Sequence, residues 1–144
     1  MVPGPAGFPL SRAVRVGDTL YVSGNFGWDA ANSRVVPGGA AAETKQTLEN
    51  MGKVLRQAGS SFDKVVKTTV MRHTSTYLSY ILISTLVQVW LTHYEDITEV
   101  NRVYATFFDS RHYPARAAYG VSALPAGARV EIEAVAIVGD IIDV

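Results

Sequence analysis

The chain has 144 residues, of which 48% are hydrophobic and 18% charged, with 13 basic side chains against 13 acidic ones. That size and composition give one globular domain with a real core. Charge neutrality excludes a general affinity for nucleic-acid backbones, and the lack of cysteine excludes disulfides, thiol nucleophiles and cysteine-ligated zinc.

The opening stretch MVPGPAGFPLSRAV has no basic region followed by an apolar one, so it does not read as a signal peptide. AVRVGDTLYVSGNFGWD reads as two strands around a turn at Val16, Gly17 and Asp18. ANSRVVPGG is a turn-rich connection with room for a third short strand at 34–36. From 40 to 58 the period becomes helical. Thr44, Leu48, Met51, Leu55 and Ala58 share one face, while Glu43, Lys45, Glu49 and Lys53 fall elsewhere, and Gly59 supplies the stop. FDKVVKTTV is β-branched and reads as a strand.

A second helix is predicted over 95–109, with an apolar stripe of Ile97, Val100, Val103, Tyr104, Phe107 and Phe108. Thr92 and Glu95 have capping-box spacing before it. The last strand is predicted over 128–138. Val130, Ile132, Ala134 and Ala136 share one of its faces; Arg129, Glu131, Glu133, Val135 and Ile137 share the other.

The expected fold class is α/β, of the α+β kind. A single sheet carries two helices on one face, in the order β-β-(β)-α-β-α-β. The other face holds Ser23, Lys67, Thr69, Glu131 and Glu133. It is too apolar to stay bare and too polar for a dry core. A second subunit packing there, with a wet cleft between, resolves the conflict.

His73, His93 and His112 show no ligand spacing, so no metal is expected. The chemistry concentrates in YPARAAYGVSALPAGARVEIEAVAI, where Arg116, Glu131 and Glu133 stand in an apolar stretch. A guanidinium can hold a small carboxylate through two parallel hydrogen bonds, and a carboxylate can take and return protons. On spacing alone, Arg116 could equally pair with Glu131 or Glu133 as a salt bridge between subunits.

Four stretches resemble the RidA/YjgF family of reactive-intermediate imine deaminases: AVRVGDTLYVSGNFGWD, VVPGGAAAETKQTLENMGKVLRQAGSSFDKVVKTTV, LTHYEDITEVNRVYATFF and the closing YPARAA…LP…VEIEA motif. The resemblance implies a chorismate-mutase-like fold and a homotrimer with clefts between subunits. It implies hydrolytic deamination of 2-imino and 2-enamino acids to 2-oxo acids and ammonia, without a cofactor. The family's substrate-carboxylate arginine falls on Arg116, its acidic residue beside the attacking water on Glu131, and its cleft serine on Ser23. The backbone near Ala118 would face the substrate nitrogen or the water. Arg116 beside Glu131 would lower the glutamate's pKa, and burial would have to act against it.

Two features depart from the family pattern. Leu10 in FPLSRAV stands where the family's cleft tyrosine is usual, and Asn25 in SGN stands where glutamine is usual. Both would line the substrate pocket. Leu10, together with an insertion at 70–88, keeps open a non-catalytic carboxylate-binding or regulatory protein as the alternative. An endoribonuclease or translation inhibitor, also implied by the resemblance, is disfavoured by neutral charge. The expected partners are a small 2-imino acid and further copies of this chain, with no specific nucleic acid and no membrane. The expected location is the cytoplasm, with the mitochondrion as the alternative.

The larger departure lies between VVKTT and HYEDITEVN. Removing 70–88 leaves VVKTTVWLTHYEDITEVN, which matches the family without a gap. The chain therefore reads as one domain, 1–144, with an insertion at 70–88 of the kind a translated short intron would leave. The central strand can end in VMRHT or in VWLTH, but not in both. YLSYILISTLVQVWL falls short of the ~20 mostly apolar residues that a membrane span needs.

Overall fold

The computed structural model describes residues 1–73 and 95–139. Thr92 of the expected cap, and most of the expected insertion, lie outside the described residues.

The first hairpin forms as the turn residues predict: β2 (Ser11–Val16) and β3 (Thr19–Phe26) pair antiparallel around Gly17. A short β1 (Val2–Pro3) adds to the outer side of β2. The expected third strand exists, but in a separate ribbon: β4 (Trp28–Asp29) pairs with β5 (Arg34–Val35). Then come α1 (Gly39–Gln57), β6 (Val65–His73), α2 (Glu95–Tyr104), β7 (Ala115–Val121) and β8 (Val130–Ile137). The main sheet has the order β1-β2-β3-β8-β6-β7. It is mixed: β6 and β7 run parallel, with α2 in the crossover, and the other neighbours run antiparallel.

α1 buries Ala40, Thr44, Thr47, Leu48, Met51, Val54 and Leu55, and Gly59 takes the left-handed φ of 77° that ends it. One residue set aside from the apolar face is buried with it: Glu43 is 5% exposed. Its Oε2 accepts the Arg129 backbone N–H at 2.6 Å, which ties the helix to the approach of β8. Period alone assigns a glutamate to solvent; a long-range backbone donor reverses that.

α2 stops at Tyr104 rather than at 109. The chain then tightens into turns in which Thr106 N–H meets Val103 and Phe107 N–H meets Tyr104. The apolar stripe continues through the turn. Val100, Tyr104 and Phe108 are buried, and Phe62 packs edge-on against both Phe107 and Phe108.

The core lies between the helices and one sheet face, built on Leu20, Val22, Val70, Val130, Ile132 and Ala134. The alternation expected for β8 holds: Val130, Ile132, Ala134 and Ala136 are buried, while Glu131 and Glu133 face away. That second face also exposes Val14, Val16, Tyr21 and Tyr119.

The central strand ends in its first candidate sequence. Val70 pairs with Ile132, Met71 with Glu131 and Arg72 with Val130, and His73 N–H donates to the Arg129 carbonyl at 2.8 Å. The first four residues of the expected insertion thus complete β6.

β7 is an element that the predicted order does not contain. Its sequence, ARAAYGV, neither alternates nor carries a β-branched run. It is a strand because β6 offers a parallel partner from Lys67–Ala115 to His73–Val121.

Candidate functional site

Arg116 sits on β7, the edge strand, opposite Thr68 of β6. Thr68 is fully buried on the helix side, and Arg116 shares that side. The guanidinium carbon lies 4.4 Å from the Tyr104 ring centroid, and Nη1 donates to Asn101 Oδ1 at 2.9 Å. Nε is buried with no hydrogen-bond partner among the described residues. Burial lowers the guanidinium pKa and the Tyr104 side acts against that shift; the group stays cationic at any working pH. Neither of the salt bridges that spacing allowed, to Glu131 or to Glu133, forms within one copy among the described residues.

Glu131 occupies the opposite face. It is in the row Tyr119–Met71–Glu131–Phe26, whereas Arg116 is in the row Arg116–Thr68–Ala134–Val22. Three steps along the ladder separate the rows, which puts the two side chains on different faces of one sheet. Arg116 of the same copy therefore does not depress the Glu131 pKa. The carboxyl is instead raised above its ordinary 4.5, first by burial and then by the Glu133 charge.

The backbone around Glu131 is shaped for it. β3 carries a bulge between Val22 and Asn25, where Ser23 and Gly24 face the single residue Glu133 on β8. Gly24 in that bulge lies directly against the Glu131 carboxylate, so a Cβ there would overlap Oε1. Ser23 is exposed, and its hydroxyl donates to the Ser11 carbonyl at 2.7 Å. The donor is thus engaged across the hairpin, while the oxygen can still accept. Asn25 Nδ2 donates to the Ser23 carbonyl at 2.8 Å and stiffens the same bulge.

Leu10 is exposed, immediately before β2. Ala118 is exposed on β7, two residues beyond Arg116 and on the same side, at the edge of the described sheet. On the open face a hollow of about 430 Å³ collects Ser23, Tyr21, Lys67, Thr69 and Glu133. The polar set expected on that face is therefore gathered there, with Glu131 two residues further along β8.

One copy of the chain therefore holds the two candidate groups apart. A cation stands at the β7 edge against α2, and a carboxyl of raised pKa stands on the open face beside a serine. Sequence reasoning missed Asn101 and Tyr104, which hold the cation, and Thr68, whose hydroxyl meets that of Tyr104. The helical spacing of Asn101 and Tyr104, at i and i+3, was legible, but their approach to β7 depends on a strand the periodicity does not reveal. Among the described residues no helix is long and apolar enough to cross a membrane.

Comparison with known proteins adds three findings. Residues 3–77 and 84–138 match the model of the family described as endoribonuclease L-PSP. A human protein, 2-iminobutanoate/2-iminopropanoate deaminase, is 45% identical over 137 residues, covering 95% of this chain and 85% of the human one. Among solved structures, the Rid-family protein YyfA from Yersinia pestis superposes with a TM-score of 0.75 at 34% identity, covering 95% of this chain and 93% of that one. TdcF from E. coli, solved with bound serine, does so with a TM-score of 0.72 at 27% identity, covering 94% and 92%.

Proposed function

We infer the reaction from membership: this chain belongs to the endoribonuclease L-PSP family, that of the RidA/YjgF reactive-intermediate deaminases. It is an enzyme that hydrolyses 2-imino acids, and their 2-enamino tautomers, to 2-oxo acids and ammonia. The observation that carries this is the 45% identity, spread over 95% of the chain, to a deaminase of 2-iminobutanoate and 2-iminopropanoate.

The site assignment is our reading. Arg116 holds the substrate carboxylate and so fixes the imine carbon for attack. Glu131 takes a proton from the attacking water as its oxygen bonds to that carbon, and delivers it to the nitrogen. Glu131 then takes the hydroxyl proton of the resulting carbinolamine and passes it to the amino nitrogen as the C=O bond forms and the carbon–nitrogen bond breaks, so that ammonia leaves and the 2-oxo acid remains. A carboxyl raised above its ordinary range by burial and by the Glu133 charge holds a proton more readily than a free one does, which suits its return to the nitrogen. Ser23 accepts a hydrogen bond from the substrate or the water, and the outer backbone near Ala118 meets the nitrogen. Leu10 and Asn25 line the pocket and bear on which imine side chains fit.

Arg116 and Glu131 face opposite sides of one sheet, so a single copy cannot bring both to one small molecule. We read the site as composite, with the guanidinium from one subunit and the glutamate from its neighbour in a homotrimer. Apolar Val14, Val16, Tyr21 and Tyr119 on the open face support burial against another copy. The serine bound to E. coli TdcF, a small carboxylate with nitrogen on C2, supports the same ligand class here.

The test is to generate 2-iminobutanoate in situ and follow 2-oxobutanoate appearance with the protein present and absent. Acceleration that falls at least 100-fold in Arg116→Ala is expected, since this residue both binds and orients. Binding of 2-oxobutanoate without any acceleration would overturn the enzyme in favour of a carboxylate-binding module.

A further inference from the structure

The guanidinium of Arg116 is held more firmly than carboxylate binding by itself requires. Four groups form one stack from the core to the site. Phe62 packs edge-on against Phe108 at 5.3 Å, and Phe108 stacks on Tyr104 at 4.4 Å and 27°. Arg116 lies over Tyr104, also at 4.4 Å. Two groups that close cannot share one face of a ring, so Tyr104 is clasped between Phe108 and the guanidinium. Its rotation is fixed at the other end. The Tyr104 hydroxyl and Thr68 Oγ1 are 2.7 Å apart, both residues are buried, and Thr68 is the β6 residue in register with Arg116. Asn101, one turn earlier on α2, then sets the in-plane orientation by accepting from Nη1.

The arrangement also selects which edge of the guanidinium meets a ligand. Nε is buried, so the side-on fork of Nε and Nη2 is closed. The end-on fork of Nη1 and Nη2 remains, and Asn101 occupies one Nη1 hydrogen. A carboxylate entering that fork meets a cation already oriented by a ring, a core hydroxyl and an amide.

We propose that Tyr104 is the positioning residue of this deaminase, a platform buttressed by Phe108 and Thr68 that, with Asn101, presents Arg116 end-on to the substrate carboxylate. The proposal rests on the reading that Arg116 holds that carboxylate. Tyr104 touches no substrate; it acts through the arginine. Losing the platform frees the guanidinium to sample other rotamers, so the loss falls mainly on KM. A cation over a desolvated ring sets the expected size at about tenfold.

The test uses the full chain and 2-iminobutanoate generated in situ, with KM and kcat resolved for four variants. Tyr104→Leu raises KM about tenfold, with kcat changed less than about threefold. Tyr104→Phe, which keeps both stacks and drops only the Thr68 bond, stays within about threefold of wild type in KM. Asn101→Ala, at an exposed position, raises KM by about threefold or more. Arg116→Ala is the control for the underlying reading. If it leaves KM and kcat unchanged, Arg116 is not the carboxylate holder and both claims fall. If it is impaired while Tyr104→Leu and Asn101→Ala match wild type, the platform alone is overturned. A folded Tyr104→Phe as impaired as Tyr104→Leu also overturns it, because the ring stack would then contribute nothing. Should Tyr104→Leu fail to fold, as loss of circular dichroism would reveal, Asn101→Ala decides: a raised KM supports the platform and an unchanged one contradicts it.

Discussion

A single glycine governs where the proposed proton carrier can stand. Gly24 leaves room for the Glu131 carboxylate in the bulge of β3, and its neighbour there is the far end of a flexible side chain rather than backbone. Gly24→Ala should therefore fold, with an unfolding midpoint within a few degrees of wild type, while pushing the carboxylate aside. Imine hydrolysis should fall about as far as in Glu131→Gln, on the order of 100-fold. A Gly24→Ala enzyme with full activity would contradict the role given to Glu131. Its pKa supplies a second prediction. Burial and the Glu133 charge both raise the carboxyl, so folded protein holds the proton to higher pH than unfolded chain does. The stability linked to that proton is complete below 4.5 and is lost as pH rises through the raised value. Glu133→Gln removes one of the two causes. The ascending acid limb of kcat/KM should then move to lower pH, and an unmoved limb would mean that another group is being titrated. Arg116 and Glu131 were legible as candidates because charged side chains are few in their apolar stretch, and Ser23 because its stretch matches the family's. That Arg116 leans on Tyr104 was not legible, because the contact joins residues on two elements that only the β6–α2–β7 crossover brings together.

The elements that sequence period marks best are those whose partner is solvent on one side. α1 and β8 follow their patterns almost residue by residue, since 3.6- and 2-residue alternation records one buried face. β7 left no such record. As an edge strand of small residues it has little to alternate, and its identity comes from parallel hydrogen bonding to β6. Glu43 is the inverse case, a charged residue drawn inward by the Arg129 amide, and that contact fixes the entry of the strand carrying Glu131. Glu43→Ala should destabilise the chain by about 2 kcal/mol, read as a shift in urea midpoint, because a part-buried backbone donor loses its carboxylate acceptor. Glu43→Gln, which keeps an acceptor oxygen, should cost less than half as much. A Glu43→Ala midpoint equal to wild type would show that the bond contributes nothing net.

For the whole molecule, the informative fact is the division of function between two faces. The alternation of β8 already placed glutamates opposite the core, and the mixed polarity of that face already called for a second subunit. What the sequence could not convey is that Arg116 looks the other way, because its strand was not in the predicted order. On the proposed site assignment, that orientation has the cation and the proton carrier of one chain serve different sites. Co-expression of Arg116→Ala and Glu131→Gln chains, each inactive alone, measures this directly. In randomly assembled trimers about one composite site in four pairs an intact arginine with an intact glutamate, so about a quarter of wild-type imine hydrolysis should return. Mixed trimers, verified by differently tagged chains, that remain as inactive as either parent would contradict a site shared between subunits.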